Sequence, residues 1–349
     1  MKKSFVLTLS VVLLTVGIAT SVLINGQRRN GSRNVRERIP IANQYLVSGP
    51  FTHRNLSIFL IHGPNQVTGD FLTLQEALEQ KKVVVYETKD VNELAIRNLS
   101  NQDVYVQAGD IVKGGQQDRM IGVDLIVPPK SGRLPIAAFC VEHGRWSGRG
   151  TEQATVFNSS ADAVATKQIK LAAKASNSQG EVWDNVKIAQ DKLSRSVGTR
   201  VNSPVSGSSL QLAVENRKVQ ATAESYINAL SGVVRGRDDV IGYIFAINGQ
   251  LNSADVYASS VLFRKLWPKL LKATAVEAIA ELQGDGKPEP PSTKTVERFL
   301  RQSETGTLNE KEVTARVKLA TQENDESIFF ETRDRKRNDA WVHRNYIKK

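Results

Sequence analysis

The chain has 349 residues, 40% hydrophobic, 24% charged and 6% aromatic, enough apolar material for one large core or two smaller ones. Its net charge is +11, but nearly all of that excess lies in the first 38 residues and in the tail from Glu331 onward, so bulk basicity is excluded as an argument for nucleic-acid binding. Cys140 is the only cysteine, which excludes an intramolecular disulfide and a multi-cysteine zinc site.

Residues 1–25 read as a signal peptide or a single-span anchor. Lys2 and Lys3 precede an uncharged run, Phe5–Ile24, and a helix of that length crosses a bilayer core of about 30 Å. Small residues at Gly17-Ile18-Ala19 or Ala19-Thr20-Ser21 offer cleavage sites. Arg28, Arg29, Arg33, Arg36 and Arg38 oppose export of the body of the chain. A short basic stretch before an apolar run is nevertheless the usual export signal, so the body is expected on the non-cytoplasmic side, membrane-anchored or secreted. Residues 26–42 read as a basic flexible linker, and each Arg lying on anionic headgroups contributes about 1 kcal/mol.

An α+β domain is expected over 43–283, β-rich in its first half as an antiparallel sheet or sandwich with packed helices. Leu56–Ile61 and Val83–Tyr86 are short β-branched runs that predict buried strands. Leu72–Gln80 has helical spacing. Glu93–Asn98 and Val104–Gln107 alternate apolar with polar residues about a hairpin-like turn. Ile121–Val127 and Leu134–Cys140 are expected to pair across Pro128-Pro129-Lys130-Ser131-Gly132, where Pro cannot donate to a ladder and Gly takes positive φ. Gly148–Ser160 reads as a polar loop.

Helical stripes follow at Val182, Val186, Ala189, Leu193 and at Val219, Ala223, Tyr226, Ile227, Leu230, with a mobile Ser/Gly-rich stretch over 194–209 between them. Asp239–Asn248 predicts a buried strand turning at Asn248-Gly249 into Leu251–Val256. A helix begins at Leu262, and Pro268 is expected to kink it or start a new one. Leu266 and Trp267 face the core, with Lys265 and Lys269 on a charged back. The segment 284–349 is expected to be a C-terminal extension: a break at Gly284–Pro291, a short helix, then a small β-meander from Val313, Ala315, Val317 and Leu319 through Ile328–Thr332 to Trp341–Tyr346. Its basic tail, RDRKRNDAWVHRNYIKK, reads as a solvated edge strand with a frayed end, or as a surface for nucleic acid, acidic glycan or headgroups.

The densest chemistry lies in 113–146, KGGQQDRMIGVDLIVPPKSGRLPIAAFCVEHGRW. Gly114 and Gly115 allow backbone conformations closed to other residues. Gln116, Gln117, Asp118 and Arg119 then offer donors, acceptors and a guanidinium fork suited to a carboxylate, phosphate or sugar. The bland alternative is a turn in which Asp118 or Asp124 pairs with Arg119 or Arg145. Glu142, His143, Arg145 and Trp146 form a second candidate loop, or else a structural one with Trp146 packed over Arg145. Cys140, His143 and Asp118 are weak catalytic candidates: a thiolate needs a base beside it, but Cys140 and His143 fall on opposite faces of a strand. Cys140 reads first as a small buried hydrophobe. The histidines His53, His62, His143 and His343 have no ligand spacing, so no metal site and no cofactor are expected.

Two stretches, GDIVKGGQQDR with VPPKSGRLPIAAFCVEHGRW, and IFAINGQLNSADVY with LFRKLWPKLLKATAVEA, resemble the ARG and rhodanese-phosphatase-superfamily-associated protein domain family over roughly 50–282. That resemblance implies one family domain and a link to nucleotide-derived ligands through gene association with ADP-ribosylglycohydrolases and phosphatases; it brings no catalytic residues. The export signal and basic tail depart from it. The favoured expectation is an exported or membrane-anchored binding module for a small polar or anionic ligand, held by Lys113–Arg119 and Glu142–Trp146. The alternatives are a Cys- or carboxylate-dependent hydrolase or transferase, and a structural envelope adaptor. The expected partners are a small polar ligand and, through the N-terminal segment, a membrane. Nucleic acid is not expected, and the sequence carries no signal for oligomeric state.

Overall fold

A computed structural model describes residues 45–67, 70–284 and 288–349. The expected leader and linker lie outside the described residues. The first elements are the hairpin β1 (Leu46–His53) and β2 (Leu56–His62), then β3 (Leu72–Thr73) leading into α1 (Leu74–Glu79). Thr73 and Glu76 start α1 with a reciprocal cap: Glu76 N donates to Thr73 Oγ1 at 3.2 Å and Thr73 N to Glu76 Oε2 at 2.8 Å. Next come β4 (Val83–Glu87), β5 (Glu93–Asn98), β6 (Val104–Val106), β7 (Asp110–Gly114), β8 (Arg119–Ile121), β9 (Leu125–Val127), β10 (Leu134–Cys140) and β11 (Val156–Val164). Helices α2 (Lys167–Lys174), α3 (Gln179–Val197), α4 (Leu210–Val214) and α5 (Arg217–Leu230) follow. The chain returns to β12 (Val240–Ile247), β13 (Gln250–Tyr257), α6 (Ser260–Ala280) and α7 (Thr293–Ser303), and finishes with β14 (Thr307–Glu312), β15 (Val317–Glu323), β16 (Ser327–Asp334) and β17 (Ala340–Lys348).

The architecture is α+β. One antiparallel sheet of eight strands runs in the order β1-β2-β12-β13-β17-β16-β15-β14; six strands close a barrel, β10-β5-β4-β11-β7-β8; and β3-β6-β9 form a small third sheet. The barrel replaces the expected hairpins. β5 pairs with β4 and β10, whereas β6 pairs with β3 and β9. The run Ile121–Val127 is two strands in two sheets, because β8 ends at Ile121 and pairs with β7 and β10. β9 and β10 do not pair. Both runs are apolar on each face, so alternation alone could not register them.

The inward rows of the barrel, among them Val83, Val85, Leu94, Ile96, Val112, Ile121, Ile136 and Ala138, make one apolar cluster with α1 and Phe157. A second, larger cluster packs the helices on the eight-stranded sheet. α3 and α5 bury the predicted stripes, with Ile227 only partly covered at the margin of the second. α6 runs through Pro268 as a single helix rather than starting anew, enclosed by core on most of its circumference. Lys269 is not on a charged back: it is buried and sits 2.6 Å from Asp110. The stretch 198–209 is anchored through buried Val201 and Ser209. The loop from residue 147 gives way to a strand at Val156, and Val313–Arg316 is the β14–β15 turn rather than the start of a strand.

The tail is not an edge. β17 lies between β13 and β16, burying Arg344 and His343. Its cations find partners within the chain: buried Arg344 donates to Glu331 Oε2 at 2.5 Å and stacks 4.4 Å from the Trp341 ring, and Lys348 pairs with Glu326 at 2.6 Å on the surface.

Candidate functional site

Gly114–Asp118 connects β7 to β8 at one mouth of the barrel. Gly114 has φ 114° and Gly115 φ 56°. A Cβ on Gly115 would fall 2.3 Å from Cζ of Phe157, so the second glycine makes room for that ring rather than for a ligand. Parity along the strands puts Arg119 and Cys140 on the inward rows of Ile121 and Ala138, and Glu87 on that of Val85. Arg119 is fully buried; its Nη2 donates to Glu87 Oε1 at 3.1 Å and Oε2 at 3.3 Å, and its Nη1 to Val91 O at 2.7 Å.

Asp118 and Glu142 face the helical side, and here the two predicted loops meet. Asp118 N donates to Glu142 Oε2 at 3.0 Å. Arg145 donates to Glu142 through Nε at 2.8 Å and Nη2 at 2.7 Å, and reaches the Gly114 and Gly115 carbonyls at 3.3 and 3.2 Å. Arg149, which sequence reasoning did not single out, clasps Asp118 at 3.0 and 3.1 Å, and Ser209 Oγ donates to the same carboxylate at 3.0 Å. Burial pushes the Asp118 carboxyl up, with Arg149 opposing. At Glu142 burial opposes, but the bonds from Arg145, Ser206 and Asp118 N win and hold it low. Every carboxylate oxygen of Asp118 and Glu142 accepts from the protein, so these two form a closed clasp with their arginines; Arg149 also donates to Glu152 Oε1 at 2.9 Å, whose other oxygen is buried without a partner among the described residues. Gln117 is fully buried beside it, and neither side-chain polar atom has a hydrogen-bond partner among the described residues.

Cys140 lies apart from His143. Its thiol is buried and directed at Val91 O, 3.8 Å away, and burial pushes it up to about 11. Its backbone amide and carbonyl are both held by the Gln179 side chain, at 2.8 and 2.9 Å. Trp146 does not cover Arg145, which turns inward to Glu142; the indole is 54% exposed.

His143 points the other way, against Trp183 of α3, with ring centroids 4.5 Å apart at 84°. The two line a half-open cleft of about 490 Å³ with Asp184, Lys187, Gln190, Asn202 and Ser208. Gln190 and Asn202 are already bonded to the loop that forms its far wall, both to Gly207 O, at 3.1 and 2.7 Å. The indole N–H of Trp183 is buried without a partner among the described residues.

A second polar centre lies under α2, assembled from residues far apart in sequence. His343 Nδ1 is 2.7 Å from Asp124 Oδ2 and its Nε2 is 3.0 Å from Asp255 Oδ1. Thr332 and the Ala108 amide also donate to Asp124, each at 2.7 Å, and Asn345 donates to Asp255 at 2.9 Å. Burial alone would lower the imidazole, but Asp124 and then Asp255 outweigh it and hold it above the usual histidine value. Asp124 thus serves His343 rather than Arg119 or Arg145. Tyr257 stacks on the imidazole at 4.6 Å and donates to Gln107 at 2.9 Å. Among the described residues no group of three or more His, Cys, Asp or Glu is placed to hold a metal ion.

Neither the curated proteins nor the solved structures hold a significant match to this chain. One family model does match, and it spans residues 44–347, which takes in the barrel, the helices and all but the last residue of the eight-stranded sheet. The chain belongs to the ARG and Rhodanese-Phosphatase-superfamily-associated Protein domain family.

Proposed function

We propose that this chain is a binding module for a small polar ligand bearing a ring, taken in the cleft between the Glu142–Trp146 loop, α3 and the 202–208 segment. The observation that carries the reading is the pair of rings at the cleft wall, His143 set edge-on to Trp183 with centroids 4.5 Å apart. Aromatic contacts of this kind contribute about 0.5–1.5 kcal/mol beyond area burial when a planar group packs against them. His143 and Trp183 offer edge and face to a planar ring, and Lys187 supplies a cation for an anionic substituent. The volume, about 490 Å³, falls in the range of small-molecule sites, roughly 300–1,000 Å³. The Asp118–Glu142–Arg145–Arg149 clasp acts as the rigid back of the loop that carries His143, not as the ligand's own contact. The family's association with ARG proteins makes nucleosides and their phosphates the first probes. The run Phe5–Ile24 supports tethering of this module at a membrane, with the body on the non-cytoplasmic side.

Thermal-shift screening of nucleosides, nucleoside phosphates, sugars and amino acids tests the reading, with Trp183→Ala as the discriminating variant. It removes the ring that a planar ligand would pack against, so affinity for a true ligand should fall about 2–10-fold. A ligand whose affinity is unchanged in both Trp183→Ala and His143→Ala would overturn it. A structural adaptor is the second reading, favoured by the mutual saturation of Asp118, Glu142, Arg145 and Arg149; silence across the whole panel would support it.

A further inference from the structure

Among the described residues most buried cations pair directly with a carboxylate: Lys269 with Asp110, Arg119 with Glu87 and Arg344 with Glu331. Lys174, in the last turn of α2, does not. Among the described residues no carboxylate lies within ion-pair distance of it. Its Nζ donates to Asn345 Oδ1 at 3.3 Å and sits 4.0 Å from the centroid of the Phe330 ring. Lys170, one helical turn earlier and on the same face, is 5% exposed and sets a like charge beside it.

Lys174 also lines a half-open cleft of about 340 Å³, separate from the one beside His143. Leu319, Ile328 and Phe330 give this cleft an apolar floor, with Thr307, Thr321, Asn309, Lys311 and Glu323 around it. A lysine amine becomes a nucleophile when desolvation and a neighbouring cation disfavour its charged form.

We propose that Lys174 is a nucleophilic amine that holds a small carbonyl compound in this cleft as a reversible Schiff base. The neutral Nζ attacks the carbonyl carbon. A C–N bond forms, the C=O π pair moves to oxygen, and a proton passes from nitrogen to that oxygen to give a carbinolamine. Loss of the hydroxyl with a further proton, as water, leaves the imine. Nothing is oxidised or reduced, and hydrolysis reverses the step. Asn345 Oδ1 orients the amine, and the floor of Leu319, Ile328 and Phe330 limits water. Lys311, the other cation of the cleft, suits a carbonyl compound carrying a carboxylate or phosphate. Burial pushes the Lys174 amine down to about 8; Asp124 and Asp255 oppose this from a distance, and Lys170 adds to it.

The test uses the full chain with glyoxylate, a small anionic aldehyde, and cyanoborohydride, which reduces the imine to a stable secondary amine. Peptide mass mapping at pH 7.5 should find Lys174 labelled at least about ten-fold above exposed lysines such as Lys218. Labelling should rise to a midpoint near pH 8. Lys170 on the same helix, Asp124, Asp255 and His343 beneath it, and Lys311 and Glu323 in the cleft are the charges that shape that profile. Lys311→Ala should reduce labelling by glyoxylate but not by acetaldehyde, whereas a Lys174→Arg chain should lose the preferred site and keep the background. Label spread evenly over surface lysines, or a Lys174 that resists modification altogether, overturns the proposal. Because the cleft differs from that of Trp183, either result leaves the binding-module reading to its own test.

Discussion

Arg119 and Glu87 face each other inside the barrel mouth, Nη2 at 3.1 and 3.3 Å from the two carboxylate oxygens, with both side chains shut off from solvent. The pair closes one end of an interior that is otherwise filled by apolar side chains. Removing one partner strands the other charge in a medium that cannot solvate it. Arg119→Ala should therefore cost about 3–5 kcal/mol, while an Arg119→Met, Glu87→Leu double replacement should recover most of it. Urea unfolding of the two variants beside the unaltered chain measures this; a cost below about 1 kcal/mol for the single change would show that the pair is solvated.

Arg145 joins the two loops by bonding Glu142 and the Gly114 and Gly115 carbonyls together. Arg145→Ala and Glu142→Gln should each destabilise by about 2–4 kcal/mol and be strongly non-additive, with a coupling of about 1–3 kcal/mol. A double-mutant cycle read by thermal unfolding checks it.

His343 sets a pH limit on stability. Its folded-state value is raised above 6.5, so the folded protein binds that proton more tightly than the unfolded chain. That stabilisation is complete below 6.5 and is lost as pH rises through the folded value. Asp124 and Asp255 are held below 3.8, so their contribution exists above that value and is lost as pH falls further. Melting temperature should decline on both sides of a mildly acidic plateau. His343→Gln should flatten the alkaline side while lowering the plateau; an unchanged alkaline slope would refute the assignment.

Cys140, buried with its thiol pushed up to about 11, should resist iodoacetamide at neutral pH in the folded chain and react at once on unfolding. Rapid native alkylation would restore it as a nucleophile.

The expected leader makes a separate prediction. Expressed with residues 1–25, the chain should fractionate with membranes if the run is retained, or yield a mature N-terminus near Ala19 or Ser21 if it is cleaved. Recovery of the full-length chain in the soluble cytosolic fraction would exclude both.

Local patterns carried much of this fold. The α3 and α5 stripes were written in 3.6-residue spacing. The β12–β13 hairpin was written in Asn248-Gly249, which take φ 52° and 77° as such a turn demands. The meeting of the two loops also followed from the special residues each contains. Partner choice did not. Arg119 read as a ligand fork because the geometry that suits a phosphate equally suits Glu87, 32 residues away. His343 and Asp124 are separated by 219 positions and His343 and Asp255 by 88, so no window of sequence holds their relation. The barrel was hidden for the same reason, since closure is a property of six strands and of no pair among them.

β17 occupies the middle of the eight-stranded sheet, yet it is the last strand translated among those described. Until residues 340–348 emerge from the ribosome, β1-β2-β12-β13 and β14-β15-β16 are two half-sheets, each with an open rim that invites pairing with other chains. Completion of this sheet therefore waits for a keystone strand, and a nascent chain stalled before Ala340 should depend on chaperones in a way that one carrying β17 does not.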